Sequence, residues 1–147
     1  MRFRELPLAP TSVDAFIALH QARWGERGLF PSTEDGERSR RFLHRLTELE
    51  AGEGSDAQLV LGEVTVGDRV VVATAAFDDG ETCFFYNAGM DPTARELSPG
   101  VTGTAAYIRD RMAAGRSRFD FLRGDEPYKY EWGAVDEPVR RIMATRP

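Results

Sequence analysis

The chain is poor in cysteine. Cys83 is the only one among 147 residues, which excludes an internal disulfide framework and a cysteine-rich zinc site. A reducing compartment, and so the cytoplasm, is the expected setting. Histidine is scarce as well, limited to His20 and His44, and no His/Asp/Cys constellation points to a metal. Positive charge is in deficit: 19 Lys and Arg face 24 Asp and Glu, for a net charge of −5. That balance, with no basic stripe, speaks against nucleic acid as the main partner. Long apolar runs are missing too. The longest, Val70–Phe77, is far too short to cross a bilayer, and no charged-then-apolar leader follows Met1. Repeats and low-complexity tracts are absent. What is present is ordinary for a globular chain, 41% hydrophobic and 29% charged, and the length predicts one domain over 1–147.

Periodicity then orders the elements. Arg2–Leu6 alternates as a short strand, ended by Pro7 and Pro10. Thr11 and Ser12 are N-cap candidates for a helix whose stripe holds Val13, Phe16, Ile17 and Trp24, with His20 extending it. Glu26–Glu37 reads as a loop from its Gly and Pro content. A second amphipathic helix follows, with Phe42, Leu43, Leu46 and Leu49 on one face, and Ala51–Asp56 ends it. His44 lies on its charged face, and both histidines read as structural. Three strands come next, over Ala57–Val66, Arg69–Phe77 and Thr82–Met90. The turn pairs Gly67-Asp68 and Asp79-Gly80 join them in an antiparallel meander. Cys83, beside Phe84 and Phe85, reads as core. Ser98 then caps a helix with Pro99 at its first position. Its predicted core face is Val101, Ala105, Ile108 and Met112, and Gly115 is its C-terminal stop. A strand over Ser117–Leu122 follows. Strand, helix, strand implies a parallel pair. A last strand is expected near Val139–Thr145. The fold class is thus α+β, a mixed and mostly antiparallel sheet flanked by helices, with one parallel pair.

The densest stretch is FDFLRGDEPYKYEWG, Phe119–Gly133. Phe119 and Phe121 share one face of the strand; Asp120 and Leu122 share the other. In a covered sheet Asp120 would be buried and would need a cation, with Arg123 and Lys129 nearest in sequence. On that reading the loop is anchored by an ion pair, and Tyr128, Tyr130 and Trp132 are packing.

The element order resembles the GNAT acyltransferase fold. YNAGMD, the SPG before an amphipathic helix, and above all FLRGDEPYK resemble one branch of it: the acetyltransferase domain of bacterial proteins associated with cellulose and other polysaccharide synthesis, itself similar to Fem-type aminoacyltransferases. The resemblance covers most of the chain and is strongest over Cys83–Gly133. It implies a gap between the fourth and fifth strands that holds the pantetheine arm of an acyl-CoA co-substrate, and a pyrophosphate at the following helix N-terminus. Free backbone N–H groups and the helix dipole favour an anion there. The family's phosphate loop, Q/R-x-x-G-x-G/A, aligns with Arg95-Glu-Leu-Ser98-Pro-Gly100, Ser98 standing where glycine is usual. Arg95, Ser98, Gly100 and Val101 are therefore cofactor-binding candidates. Asn87, Ala88 and Gly89 are too, as small or polar residues beside the gap.

The resemblance also implies catalytic candidates. Lys129 would stabilise the oxyanion of a tetrahedral intermediate. Tyr128 or Tyr130, unranked, would protonate the departing thiolate. Glu63 is the candidate base. The expected function is acyl-CoA-dependent N- or O-acylation of a small-molecule, saccharide or amine acceptor, with no metal and no membrane span. Members of this branch often carry a second GNAT-like half upstream, whereas this chain shows a single half. The alternative is therefore a non-catalytic GNAT-like module that binds a partner or pairs with another half, such as a second copy in a homodimer.

Overall fold

A computed structural model describes residues 1–49 and 58–143. Five strands and four helices follow in the order β1 (Arg2–Glu5), α1 (Pro10–Trp24), α2 (Glu34–Leu49), β2 (Gln58–Val66), β3 (Arg69–Asp78), β4 (Thr82–Met90), α3 (Pro99–Ala113), β5 (Arg118–Asp120) and α4 (Pro127–Glu131). The sheet order is β1-β2-β3-β4-β5, antiparallel except for the parallel β4–β5 pair. The meander is the predicted one. Gly67 and Gly80, at φ +58 and +91, turn its two hairpins where a side chain would be strained.

The sheet is covered on both faces. On one, Val13, Phe16 and Ile17 of α1 and Leu43 of α2 bury Leu59, Leu61, Ala73 and Ala75. On the other, Ala106 and Tyr107 of α3 pack over Phe3, Val64, Val72, Cys83 and Phe85. Gly89 shows how close α1 lies. A Cβ there would sit 2.3 Å from the His20 backbone nitrogen, so only glycine admits the helix.

Several local expectations are corrected. Helix α1 starts at Pro10 with Ala9 as N-cap, so neither Thr11 nor Ser12 caps it; Pro10 opens the helix because its missing N–H is unneeded there. Helix α2 begins inside the expected loop, and its Phe42 and Leu49 are exposed, so the face is narrower than predicted. Helix α3 presents the opposite face to the core. Gly103, Thr104, Ala106, Tyr107 and Arg111 are buried, while Val101 and Met112 are exposed. Gly103 is the reason it can, since a Cβ there would meet Val72 Cγ2 at 2.7 Å. Strand β5 is only three residues long. Residues 139–143 form no strand, and 144–145 lie outside the described residues, as does Ala51–Asp56.

Candidate active site

Strands β4 and β5 pair over three positions only: Thr82 with Arg118, Cys83 with Phe119, and Phe84 with Asp120. A register shift in the β3–β4 ladder leaves Tyr86 as an extra residue between Phe85 and Asn87, and such a bulge bends its strand. Beyond Phe84, β4 has no β5 partner, because the chain leaves β5 at Leu122 with φ +57. The two strands splay, and the β5-facing edge of β4 from Phe85 to Met90 has no ladder to satisfy its backbone groups.

At the open end of this splay is a cavity of about 350 Å³ lined by Arg23, Met90, Asp91, Arg95, Ser98, Gly100 and Val101, with Pro92 and Pro99. The structure thus brings four of the sequence-derived candidates, Arg95, Ser98, Gly100 and Val101, to one cavity at the α3 N-terminus. Ser98 has φ +47, in the left-handed region, which explains why glycine is usual at that place. Its side chain makes no cap bond, and its carbonyl accepts the N–H groups of Val101 and Thr102. Among the described residues Gly100 is therefore the first-turn position whose N–H is left unbonded. The cavity wall carries Arg23, Arg95 and Asp91, the last paired with Arg69 at 2.6 Å. That carboxylate is held down to about 2 by Thr93 and Arg69 and stays ionised.

Asn87, Ala88 and Gly89 lie beside the gap but differ in what they do. The carbonyl of Ala88 accepts the Trp24 indole N–H at 3.3 Å, tying the end of α1 to β4. Gly89 is covered by α1, as above. Asn87 Oδ1 accepts the Ala88 N–H, and its carboxamide lies beside His20. That imidazole is buried, its Nδ1 has no partner among the described residues, and its pKa is pushed down to about 4, first by burial and then by the Arg23 charge. It is neutral at pH 7.

The dense segment forms a hook. Lys129 is buried. Its Nζ donates to the carbonyls of Arg123 at 2.8 Å, Gly124 at 3.2 Å and Leu122 at 3.4 Å, and pairs with Glu126 at 2.8 Å. Asp120 is half-buried. It accepts the Leu122 N–H at 2.7 Å and lies 3.5 Å from Arg118. The expected Asp120 pairing with Arg123 or Lys129 is thus corrected: the lysine satisfies backbone carbonyls instead, and together the two side chains pin a loop whose Leu122 is in a left-handed conformation. The tyrosines part company here. Tyr130 donates to Asp136 at 2.9 Å on the exposed side. Tyr128 packs edge-on against Phe121, 6.0 Å between centroids, and burial raises its pKa while the Lys129 and Arg23 charges oppose the rise.

Glu63 lies elsewhere. It is paired with Arg4 at 2.5 Å on the α1/α2 face of the sheet. Its ladder row runs through Ala73 to Gly89, two strand spacings from β4, or about 10 Å. Arg23 was missed by sequence reasoning. It comes from the last turn of α1, where its only signal is a basic residue near a helix C-terminus. Its guanidinium contacts Met90 Sδ and lies 4.5 Å over the Trp24 ring.

Among the described residues no helix is long and apolar enough to cross a membrane, and no group of His, Cys, Asp and Glu is arranged to hold a metal ion. No curated protein and no solved structure matches the chain. A family model described as acetyltransferase (GNAT) domain matches residues 1–130. The chain belongs to that family.

Proposed function

We propose that this GNAT-family domain transfers an acetyl group from acetyl-CoA to an amine or hydroxyl of a small-molecule or saccharide acceptor, in the cytoplasm and as a single catalytic unit over 1–147. The observation that carries this reading is the splay of β4 from β5 after three paired positions, with a cavity at its open end. An extended pantetheine arm carries amides that need partners, and the β4 edge without a ladder offers them outside Ala88, whose N–H and carbonyl are held by Asn87 and Trp24. The diphosphate is assigned to the cavity, against Gly100 N–H and Arg95, with Ser98 and Val101 as walls. The likeness of FLRGDEPYK to the polysaccharide-associated branch is the reason a saccharide stands among the acceptors.

In the proposed reaction the acceptor lone pair attacks the thioester carbonyl. The new C–N or C–O bond forms, the negative charge passes to the carbonyl oxygen, and its collapse breaks the C–S bond. An N–H of the free β4 edge near the Tyr86 bulge supports the oxyanion. Tyr128, a phenol that is protonated at neutral pH, gives its proton to the CoA thiolate and regains one from solvent. Lys129 acts as a positioning residue, because its ammonium is already engaged with the loop that aims Tyr128. Tyr130 faces away from this centre. Glu63, buried and paired with Arg4 on the face that α1 covers, does not reach the acceptor, whose proton passes to solvent water.

Acetyl-CoA binding tests the reading. At a 100-fold excess over Kd it stabilises the fold by about 2.7 kcal/mol, read as a rise in Tm. Gly100→Glu places a bulky anion in the cavity and should abolish that rise while leaving the unliganded Tm near wild type. An unchanged Tm with millimolar acetyl-CoA on the wild-type chain would refute the reading.

A further inference from the structure

Arg23 and Arg95 are the two cations of the cavity, and among the described residues neither has a carboxylate partner. Most arginines with a described ion pair, such as Arg69 with Asp91 or Arg111 with Glu5, Asp78 and Asp110, are by contrast neutralised. Arg23 is exposed as a residue, but its guanidinium is held in place, 4.5 Å from the Trp24 ring centre and against Met90 Sδ. Trp24 is itself fixed by its bond to the Ala88 carbonyl. Met90 is the spacer between this cation and α3. Its Sδ is 3.5 Å, and its Cε 3.3 Å, from where a Gly100 Cβ would be. Arg23 therefore faces Gly100 across one flexible, displaceable thioether, with Arg95 in the same cavity wall. Asp91 in the same wall is already paired with Arg69, so the charges of Arg23 and Arg95 are left for an anion.

We propose that Arg23 is the second jaw of a diphosphate clamp, and so the residue by which this domain selects a nucleotide-bearing acyl donor over a bare pantetheine thioester. The proposal rests on the acyl-CoA reading above. The diphosphate displaces the Met90 side chain and is held between the Arg23 guanidinium, from the α1 side of the sheet, and Arg95 with Gly100 N–H, from the α3 side. A planar guanidinium suits two phosphate oxygens at once.

The test compares CoA with pantetheine, which lacks the diphosphate, on the wild-type chain, Arg23→Gln and Arg23→Lys, by ligand-dependent Tm and calorimetry. Arg23→Gln should weaken CoA binding about 10- to 100-fold, the loss expected for one charge-assisted contact, and leave pantetheine binding within about twofold; Arg23→Lys should recover part of the CoA affinity. Equal losses for both ligands, or an unchanged CoA affinity, overturn the clamp. A wild-type chain that binds CoA and pantetheine equally also overturns it and leaves the acyl-CoA reading standing, whereas a chain that binds neither overturns both. Should Arg23→Gln fail to fold, the wild-type chain decides: inorganic pyrophosphate must displace CoA but not pantetheine, and its failure to displace CoA overturns the clamp.

Discussion

Replacing Lys129 with Met removes the ammonium and keeps a stem of similar length, so the effect isolates the polar contacts. Two of its carbonyl bonds, to Arg123 and Gly124, have good lengths of 2.8 and 3.2 Å, and the one to Leu122, at 3.4 Å, is marginal. A hydrogen bond to a charged group nets about 1.5–3 kcal/mol when nothing replaces it. Here Leu122, Arg123 and Gly124 are exposed, so water can rehydrate their carbonyls once the ammonium is gone. The Glu126 pair is exposed on its acidic side and adds little. The sum is a loss of about 2–3 kcal/mol, or a Tm lower by about 4–12 °C for a domain of this size. Urea denaturation and a thermal melt measure it directly. Turnover, measured well below the melt, should fall less than tenfold, since the ammonium does not face the reacting atoms. A lysine that stabilised the oxyanion would behave in the opposite way. Turnover would drop about 10²–10³-fold, with CoA affinity unchanged and stability intact. A stability loss under about 0.5 kcal/mol together with a hundredfold fall in turnover would refute the positioning role.

Three further outcomes are expected. His20 is neutral in the fold with a pKa near 4, against 6.5 when exposed. The unfolded chain therefore binds more protons in that window, and about 2–3 kcal/mol of stability should be lost as pH falls from 6.5 to 4; a His20→Gln chain should show a flatter urea-midpoint profile, and an equally steep one would exclude His20 as the cause. Asp78 accepts Arg116 at 2.7 Å and Arg111 at 3.4 Å in a buried cluster, so Asp78→Ala should cost about 3 kcal/mol in urea, the low end of the range because Arg111 keeps Glu5 and Asp110. Ser98→Gly relieves a left-handed side-chain conformation and should raise stability by about 0.5–1 kcal/mol; a lower urea midpoint would show that the Ser98 side chain contributes a contact of its own.

What the sequence makes legible here is local. Alternating residues between glycine turns define the β2–β3–β4 meander, and Ser-Pro-Gly marks the start of α3, because both signals reside in a few adjacent residues. The face of α3 misleads for the same reason. Val101, Ala105, Ile108 and Met112 form the more apolar stripe, yet the core takes Gly103, Tyr107 and Arg111. A glycine that admits Val72 and an arginine that stacks at 5.6 Å over Phe3 and Tyr107 carry no hydrophobic signature. Lys129 misleads differently. Its acceptors are backbone carbonyls, which every residue has, so no pattern of side chains announces them. Nearness along the chain points Asp120 to Arg123 or Lys129, yet its short bond is to the Leu122 N–H, which is equally anonymous, and the cation beside it is Arg118 on its own strand. Arg23 meets Met90 across 67 positions, a proximity created only by α1 lying over β4.

The lone thiol of Cys83 offers a native clock for this domain. It is fully buried, 3.3 Å from the Tyr107 hydroxyl, and burial pushes its pKa up, so a thiol reagent cannot modify it in the closed fold. Cys83 also sits at the middle of the three-position seam between β4 and β5. Modification must wait for that seam, or the whole fold, to open. When reclosing is fast, the modification rate divided by that of an unfolded thiol gives the opening equilibrium. If the seam unzips by itself, the clock runs faster than global unfolding measured in urea; if β5 holds until everything melts, the two agree. A donor lodged between the strands would slow the clock in either case, so one unengineered residue reads out both the cooperativity of the sheet and the occupancy of its gap.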